Sequence, residues 1–277
     1  MTVAVVTDSA AALPADLAAA HGVVVVPMWL GVDGRAVREN EVGYAETLGA
    51  HEVTTSGPSP GEFEVVIKER QAATDDGVCV CTIASTMSST HRSAVLAAQA
   101  AGGPVRVVDT ATAAGAEALV VLAAARAAAA GATLDEVEAA ARAAIERVRL
   151  VAMVPNLDHL VRSGRVPNIA GWAGRRLGIA PLFEFRDGGA HPLRPALGVP
   201  AALDRIVARW RRDRIAPARL HVAVLHAEAE AEAGELLARV RAEATPDTAF
   251  VGRFGAVMVT HTGPGLVGLA WLWEPAG

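Results

Sequence analysis

The first 130 residues alternate between short, unbroken runs of β-branched and other apolar residues and longer alanine-rich stretches with polar punctuation. VAVV (3–6), VVVVP (23–27), VCVCTI (78–83) and VRVVD (105–109) have strand length, and 13–20, 60–73, 89–101 and 112–130 between and after them read as helices. Continuous apolar strands are buried on both faces, so this alternation predicts a parallel sheet covered by helices. Leu13-Pro14 opens the first helix with proline at an early position, where its missing N–H costs nothing. Thr133-Leu-Asp-Glu136 is a capping box that opens a helix ending near Arg149.

After Ala152 the order changes. A short segment at 157–162 and a glycine-rich stretch at 163–178 lead into PLFEFRDGGAHPL, a hairpin with Asp187-Gly188 at its turn. A helix at 200–213, the run LHVAVLHA (220–227), an acidic helix at 227–243 and two closing strands complete the pattern. The predicted fold is therefore α/β: an N-terminal parallel-sheet α/β domain over 1–153 and a C-terminal α+β domain over 154–277. Between the closing strands lies THTGPGLVG (260–268), whose last six residues fit G-x-G-x-x-G. A dinucleotide fingerprint needs a helix after the glycines and an acidic residue about 20 positions on. The LAWLWE that follows is alternating and aromatic, so the segment reads instead as a strand, a tight Gly-Pro-Gly turn and a closing strand with His261 and Thr262 at a rim.

Composition narrows the function classes. The chain is 52% hydrophobic but only 4% aromatic, because alanine supplies much of the apolar content, and this points to a helix-rich core of small contacts. A net charge of -5 with scattered basic residues argues against nucleic acid. Cys79 and Cys81 sit two apart on one strand face and read as buried thiols in a reducing cytoplasm. Asp8 interrupts the first apolar run, so export by a signal peptide is not expected, and the tract at 118–132 is too short for a membrane span.

Ligands of an open parallel sheet bind outside the carboxyl ends of its strands. TDSAAALP (7–14), ASTMSSTHRS (84–93), DTATAAG (109–115) and TTSGPSPGEF (54–63) are all hydroxyl-rich. Serine and threonine there serve either as helix N-caps or as neutral donors to an anion, phosphate or carboxylate. No G-x-x-x-x-G-K-[ST] is present, and the eight histidines are dispersed without a metal-binding spacing, so no metal is expected. A nucleophilic reading, a hydrolase or acyltransferase using Ser88 or Ser85 with His261 and Asp8, stays open, although no G-x-S-x-G elbow accompanies it.

TDSAAALP, TTSGPSPGEF, ASTMSSTHRSA (84–94), VVDT (107–110), LDHLVRSGRV (157–166), GIAPL (178–182) and THTGPG (260–265), in this order over nearly the whole chain, make it similar to the DegV family of bacterial fatty-acid-binding proteins. The resemblance implies two domains with one long-chain fatty acid buried between them and no other cofactor. It further implies binding rather than turnover: a cytoplasmic carrier that presents the acyl carboxylate to a separate fatty acid kinase catalytic subunit, which forms acyl phosphate for phospholipid synthesis. Transient membrane contact is left open. The carboxylate-holding residues carry over to Thr55, Ser88 and His261, with an arginine of the hairpin region matching Arg194. Asp8, Ser9, Ser56, Ser85, Thr90, Thr262 and Gly263 form the expected supporting rim. Departures from the family pattern fall at Gly57, Ser89, His91 and Ala180, where glutamine, glycine, tyrosine and lysine are common. Met87 and Trp172 line either the tail cavity or an ordinary interdomain core.

Overall fold

The structure is a computed structural model and describes residues 3–73, 76–166 and 178–275. Its strands are β1 (Ala4–Asp8), β2 (Val23–Val26), β3 (Trp29–Val32), β4 (Arg35–Arg38), β5 (Val53–Ser56), β6 (Val78–Thr82), β7 (Val105–Asp109), β8 (Arg149–Met153), β9 (Ile179–Arg186), β10 (Gly189–Leu197), β11 (Ala218–His226), β12 (Thr248–Arg253) and β13 (Val267–Pro275). Its helices are α1 (Ala15–Ala20), α2 (Tyr44–Gly49), α3 (Pro60–Ala73), α4 (Thr90–Ala101), α5 (Ala114–Ala129), α6 (Leu134–Arg147), α7 (Asp158–Ser163), α8 (Gly198–Arg212), α9 (Glu230–Arg241) and α10 (Ala256–Thr262).

The four apolar runs pair as a parallel sheet in the order β2-β1-β6-β7. A six-stranded sheet, β10-β9-β8-β13-β11-β12, is antiparallel except for the β11–β12 pair. Helix α5 lies between the two sheets, packed on β1 and β6 from one side and on β11 and β13 from the other. Its alanines explain the composition: a side chain added at Gly115 would meet the Cβ of Ala223 at 3.0 Å, so only small residues let both sheets close on this helix. One hydrophobic core runs through all three layers, from Val5 and Cys79 through Leu119 to Ala152 and Leu272. The outer faces are covered by α3 and α4 on the parallel sheet and by α8 and α9 on the other. Both cysteines are buried and free. No helix among the described residues is long and apolar enough to cross a membrane.

The expected boundary after residue 153 follows β8, which hydrogen-bonds to β9 and β13, so sheet membership divides the chain just ahead of Arg149. Two further features were not anticipated. Thr54, Thr55 and Ser56, read as loop, belong to β5 of a small antiparallel sheet, β4-β3-β5. The run AVMVTHT, expected as a strand leading into a turn, is helix α10. Its β-branched residues favour a strand, but tertiary contacts override them: Gly255 takes the N-cap position and the Glu39 carboxylate accepts the Val257 amide at 2.9 Å in the first turn.

Candidate functional site

The loops that leave the parallel sheet are tied together by carboxylates. Asp8 closes β1 and accepts the amides of Ala10 at 3.0 Å and Ile83 at 2.9 Å, one on each oxygen. Asp109 at the end of β7 likewise accepts two amides, Ala111 at 2.9 Å and Ser85 at 3.2 Å, both on Oδ1. The Ser9 hydroxyl accepts the Met28 amide at 3.0 Å and donates to Glu39. Asp8, Ser9 and Ser85 were expected at a ligand rim. They line neither of the two cavities described below, and their polar atoms or backbone hold the loops. Beside them Glu117 of α5 is wholly buried and accepts the Thr7 hydroxyl at 3.4 Å. Burial pushes Asp8 up to about 7, with the Glu39 charge adding to the shift, and burial together with the Asp8 charge holds Glu117 well above the ordinary carboxylate range. Nothing in the sequence patterning marks Glu117, which sits in the middle of an alanine run.

A different cluster forms where β5, α7 and α10 meet. The Thr55 hydroxyl and His261 Nε2 share a hydrogen bond of 2.8 Å across the 206 residues that separate them in the chain. Burial pushes the His261 imidazole down to about 4, and the Arg165 charge adds to the shift, so the ring is neutral at neutral pH. Two cavities meet at this bond. The inner one, ≈ 260 Å³, has Met28, Ile83, Met87, Leu160, Val166 and Val257 as its apolar wall. Its polar groups include Thr55, Ser56, Ser88, Arg165, His261 and Thr262. The outer one, ≈ 460 Å³, shares Thr55, Ser163, Arg165 and His261 with it and opens beside α2 and α7.

Of the residues singled out from sequence, Thr55, Ser56, Ser88, His261 and Thr262 therefore come together on the inner cavity, and Met87 joins its wall. Thr90 is buried behind Ser88, 2.8 Å between hydroxyls, and sets the orientation of the serine. Gly263 ends α10 at φ 76; a Cβ there would lie 2.5 Å from the His159 ring, so glycine is required for the turn and for the close approach of α7. Gly57 is constrained by space alone, since a Cβ would collide with Thr90 Oγ1. Arg194 is not at the site. It is exposed on the edge strand β10, where its carbonyl accepts Arg205, and it lines neither cavity. Among the described residues the cation on the inner cavity is Arg165, just after α7, which lies in the LDHLVRSGRV motif but was not assigned to the carboxylate. Trp172 lies outside the described residues. The serine-nucleophile arrangement does not form: Ser88 bonds Thr90, His261 bonds Thr55, and both oxygens of Asp8 accept amides.

The family profile of DegV matches residues 2–274. The chain belongs to the DegV family. A DegV domain-containing protein of Streptomyces coelicolor is 36% identical over 96% of this chain and 97% of its own length. A protein of Thermotoga maritima named a fatty acid-binding protein is 32% identical over 97% of the chain and 96% of its own. Among solved structures, one described as fatty acid binding of a DegV-family protein from Thermus thermophilus superposes with a TM-score of 0.90 at 31% identity, covering 99% of this chain and 100% of that one. A DegV lipid binding protein from Thermotoga maritima also gives 0.90, at 29% identity and full coverage of both chains. DegV relatives with lipid in their descriptions thus share the fold that builds the Thr55–His261 junction here.

Proposed function

We propose that this DegV-family chain binds a long-chain fatty acid, with its tail in the inner cavity and its carboxylate on Thr55, Ser88, His261 and Arg165. The observation that carries the reading is the Thr55–His261 bond, a pair of neutral donors at the junction of an apolar cavity and an open polar one. Each methylene buried contributes about 0.8 kcal/mol, so affinity comes from the tail. An unpaired carboxylate would cost several kcal/mol, and the hydroxyl, imidazole and guanidinium donors offset that cost with charge-assisted bonds. The head group therefore fixes orientation.

The chain acts as a carrier that presents the carboxylate to a separate kinase subunit for acyl-phosphate formation. What supports this step is the position of Thr55, Arg165 and His261 on the wall of the outer pocket, which leaves that side of the carboxylate facing an opening. Solvent extraction of the purified protein followed by mass spectrometry is expected to yield fatty acid. A protein that is empty and takes up no added fatty acid overturns the carrier reading. Incubation of the loaded protein with ATP and a bacterial fatty acid kinase subunit is expected to give acyl hydroxamate on trapping with hydroxylamine. Lipid binding without that product overturns the kinase step alone.

A further inference from the structure

Both backbone polar groups of Met28, on the apolar wall of the inner cavity, lead to Glu39. The Met28 carbonyl accepts the Glu39 amide at 2.9 Å. The Met28 amide donates to the Ser9 hydroxyl at 3.0 Å, and that hydroxyl donates to Glu39 Oε2. The other carboxylate oxygen, Oε1, accepts the amide of Val257, a second wall residue, at 2.9 Å. One buried carboxyl therefore ties the residue that leads into β3 to the first turn of α10. Gly255 makes the room for it, since a Cβ there would lie 2.5 Å from the Glu39 carboxyl carbon. The Gly255 backbone, at φ -69, is one that any residue adopts, so space is what the glycine supplies.

The two elements held in this way carry the register of the head-group pair. Val257 and His261 are four residues apart on one face of α10, and both line the inner cavity. Leu30, two residues after Met28, lies opposite Thr55 in the pairing of β3 with β5. We propose that Glu39 is a positioning residue of the lipid site, which acts through Met28 and Val257 to set His261 against Thr55. The role rests on the fatty-acid reading for what the pair holds, while the register is a property of the free protein. It calls for hydrogen bonds at both oxygens rather than for a charge, and burial pushes the carboxyl up from its usual range. Glutamine can supply both bonds. Its amide oxygen accepts Val257, and its amide nitrogen donates to Ser9, whose hydroxyl keeps a second lone pair for the Met28 amide.

Palmitate affinity, melting curves and the ¹⁵N resonance of His261 Nε2 would be measured on the full chain and on Glu39→Ala, Glu39→Gln, Gly255→Ala and the double variant Glu39→Ala/Gly255→Ala. Ile206→Ala, in the separate core under α8, serves as a control for lost stability alone. Glu39→Ala is expected to weaken palmitate binding about tenfold and to move the Nε2 resonance toward that of a water-bonded imidazole, while Glu39→Gln keeps affinity within about twofold and the resonance in place. Gly255→Ala expels the carboxylate without deleting it, and so carries the test if Glu39→Ala does not fold. It is expected to match Glu39→Ala, and the double variant to be no weaker than either, because both changes remove one interaction. A lowered melting temperature in Glu39→Ala and Gly255→Ala with palmitate and Nε2 unmoved overturns the role and leaves Glu39 as a partner of α10 alone. An Nε2 shift of the same size in Ile206→Ala, or a glutamine that restores neither reading, overturns it as well. A wild type that binds no palmitate, with an Nε2 shift in Glu39→Ala that Glu39→Gln reverses, overturns the fatty-acid reading and leaves the register role.

Discussion

Around Asp8 the polar atoms are closed in. Its two oxygens take backbone amides from two loops, Ser9 and the buried Glu39 link the next segments, and Glu117 adds a third buried carboxyl. Around His261 the polar atoms come from side chains on three separate elements and face cavities. The residue types that drew attention in the sequence were the same in both places, hydroxyls and a titratable group at strand ends. The difference lies in the partner: a carboxylate whose oxygens are filled by main-chain amides holds the fold, whereas donors whose partners are other side chains remain able to exchange them for a ligand.

The largest expected effect tests the architectural side. Asp8→Ala leaves the buried amides of Ala10 and Ile83 without an acceptor, and each orphaned donor costs about 1–3 kcal/mol, so urea unfolding should show a loss of about 3 kcal/mol. Palmitate affinity of the folded fraction should be unchanged. A variant that keeps its stability and loses lipid would invert the comparison. The pH dependence has a defined sign. Asp8 is raised from 3.8 to about 7, so the fold binds its proton more tightly than the unfolded chain does. Its contribution to stability is full below pH 3.8 and is lost as pH rises through about 7. The difference in unfolding free energy between the wild type and Asp8→Asn, which does not titrate, should decline over that interval; a difference that grows with pH contradicts the assignment.

On the other side, His261→Ala is expected to weaken palmitate binding about tenfold or more, since a hydrogen bond to a charged group contributes about 1.5–3 kcal/mol. Unfolding free energy should move by less than about 1 kcal/mol, because the residue is half-buried and its one bond is to Thr55. Equal losses in the two measurements would make His261 an ordinary core histidine.

A smaller effect is expected from pH on binding. In the free protein His261 is held down at about 4, so a carboxylate beside it must raise that value and draw in a proton. Palmitate affinity should strengthen as pH falls from about 7.5 to 5.5, with calorimetry in buffers of different ionisation heat reporting proton uptake. A flat profile in the wild type, or a slope that persists in His261→Gln, would place the proton elsewhere.

Much of this was legible before any coordinates. The strands at 23–26, 78–82 and 105–109 and the helices at 60–73 and 134–147 follow from period and capping, because local pattern and tertiary burial agree there. Thr55, Ser88 and His261 were reached through ordered motifs rather than periodicity. Helix α10 was not legible, since its local preference is for a strand and its helical state depends on Glu39, more than 200 residues away. Glu117 was hidden for a related reason: a buried acid in an alanine helix has meaning only through Asp8 and Thr7, which the fold alone brings near.

The smallest expected effect distinguishes Arg194, the arginine assigned from the sequence, from Arg165, which lines the cavities. A buried carboxylate calls for a cation or other donors. Arg165 lines both cavities and contributes to the shift of His261, so Arg165→Ala should weaken palmitate binding several-fold and raise the imidazole toward its ordinary value. Arg194 is exposed on an edge strand, and its recorded contact is made by its carbonyl, which any residue supplies. Arg194→Ala should therefore leave affinity and unfolding each within about 0.5 kcal/mol of the wild type, as for a surface substitution away from any network. If Arg194→Ala instead costs as much as Arg165→Ala, strand β10 must come over the cavity mouth when lipid is bound. The comparison between a closed and an open polar cluster would then have to include the hairpin.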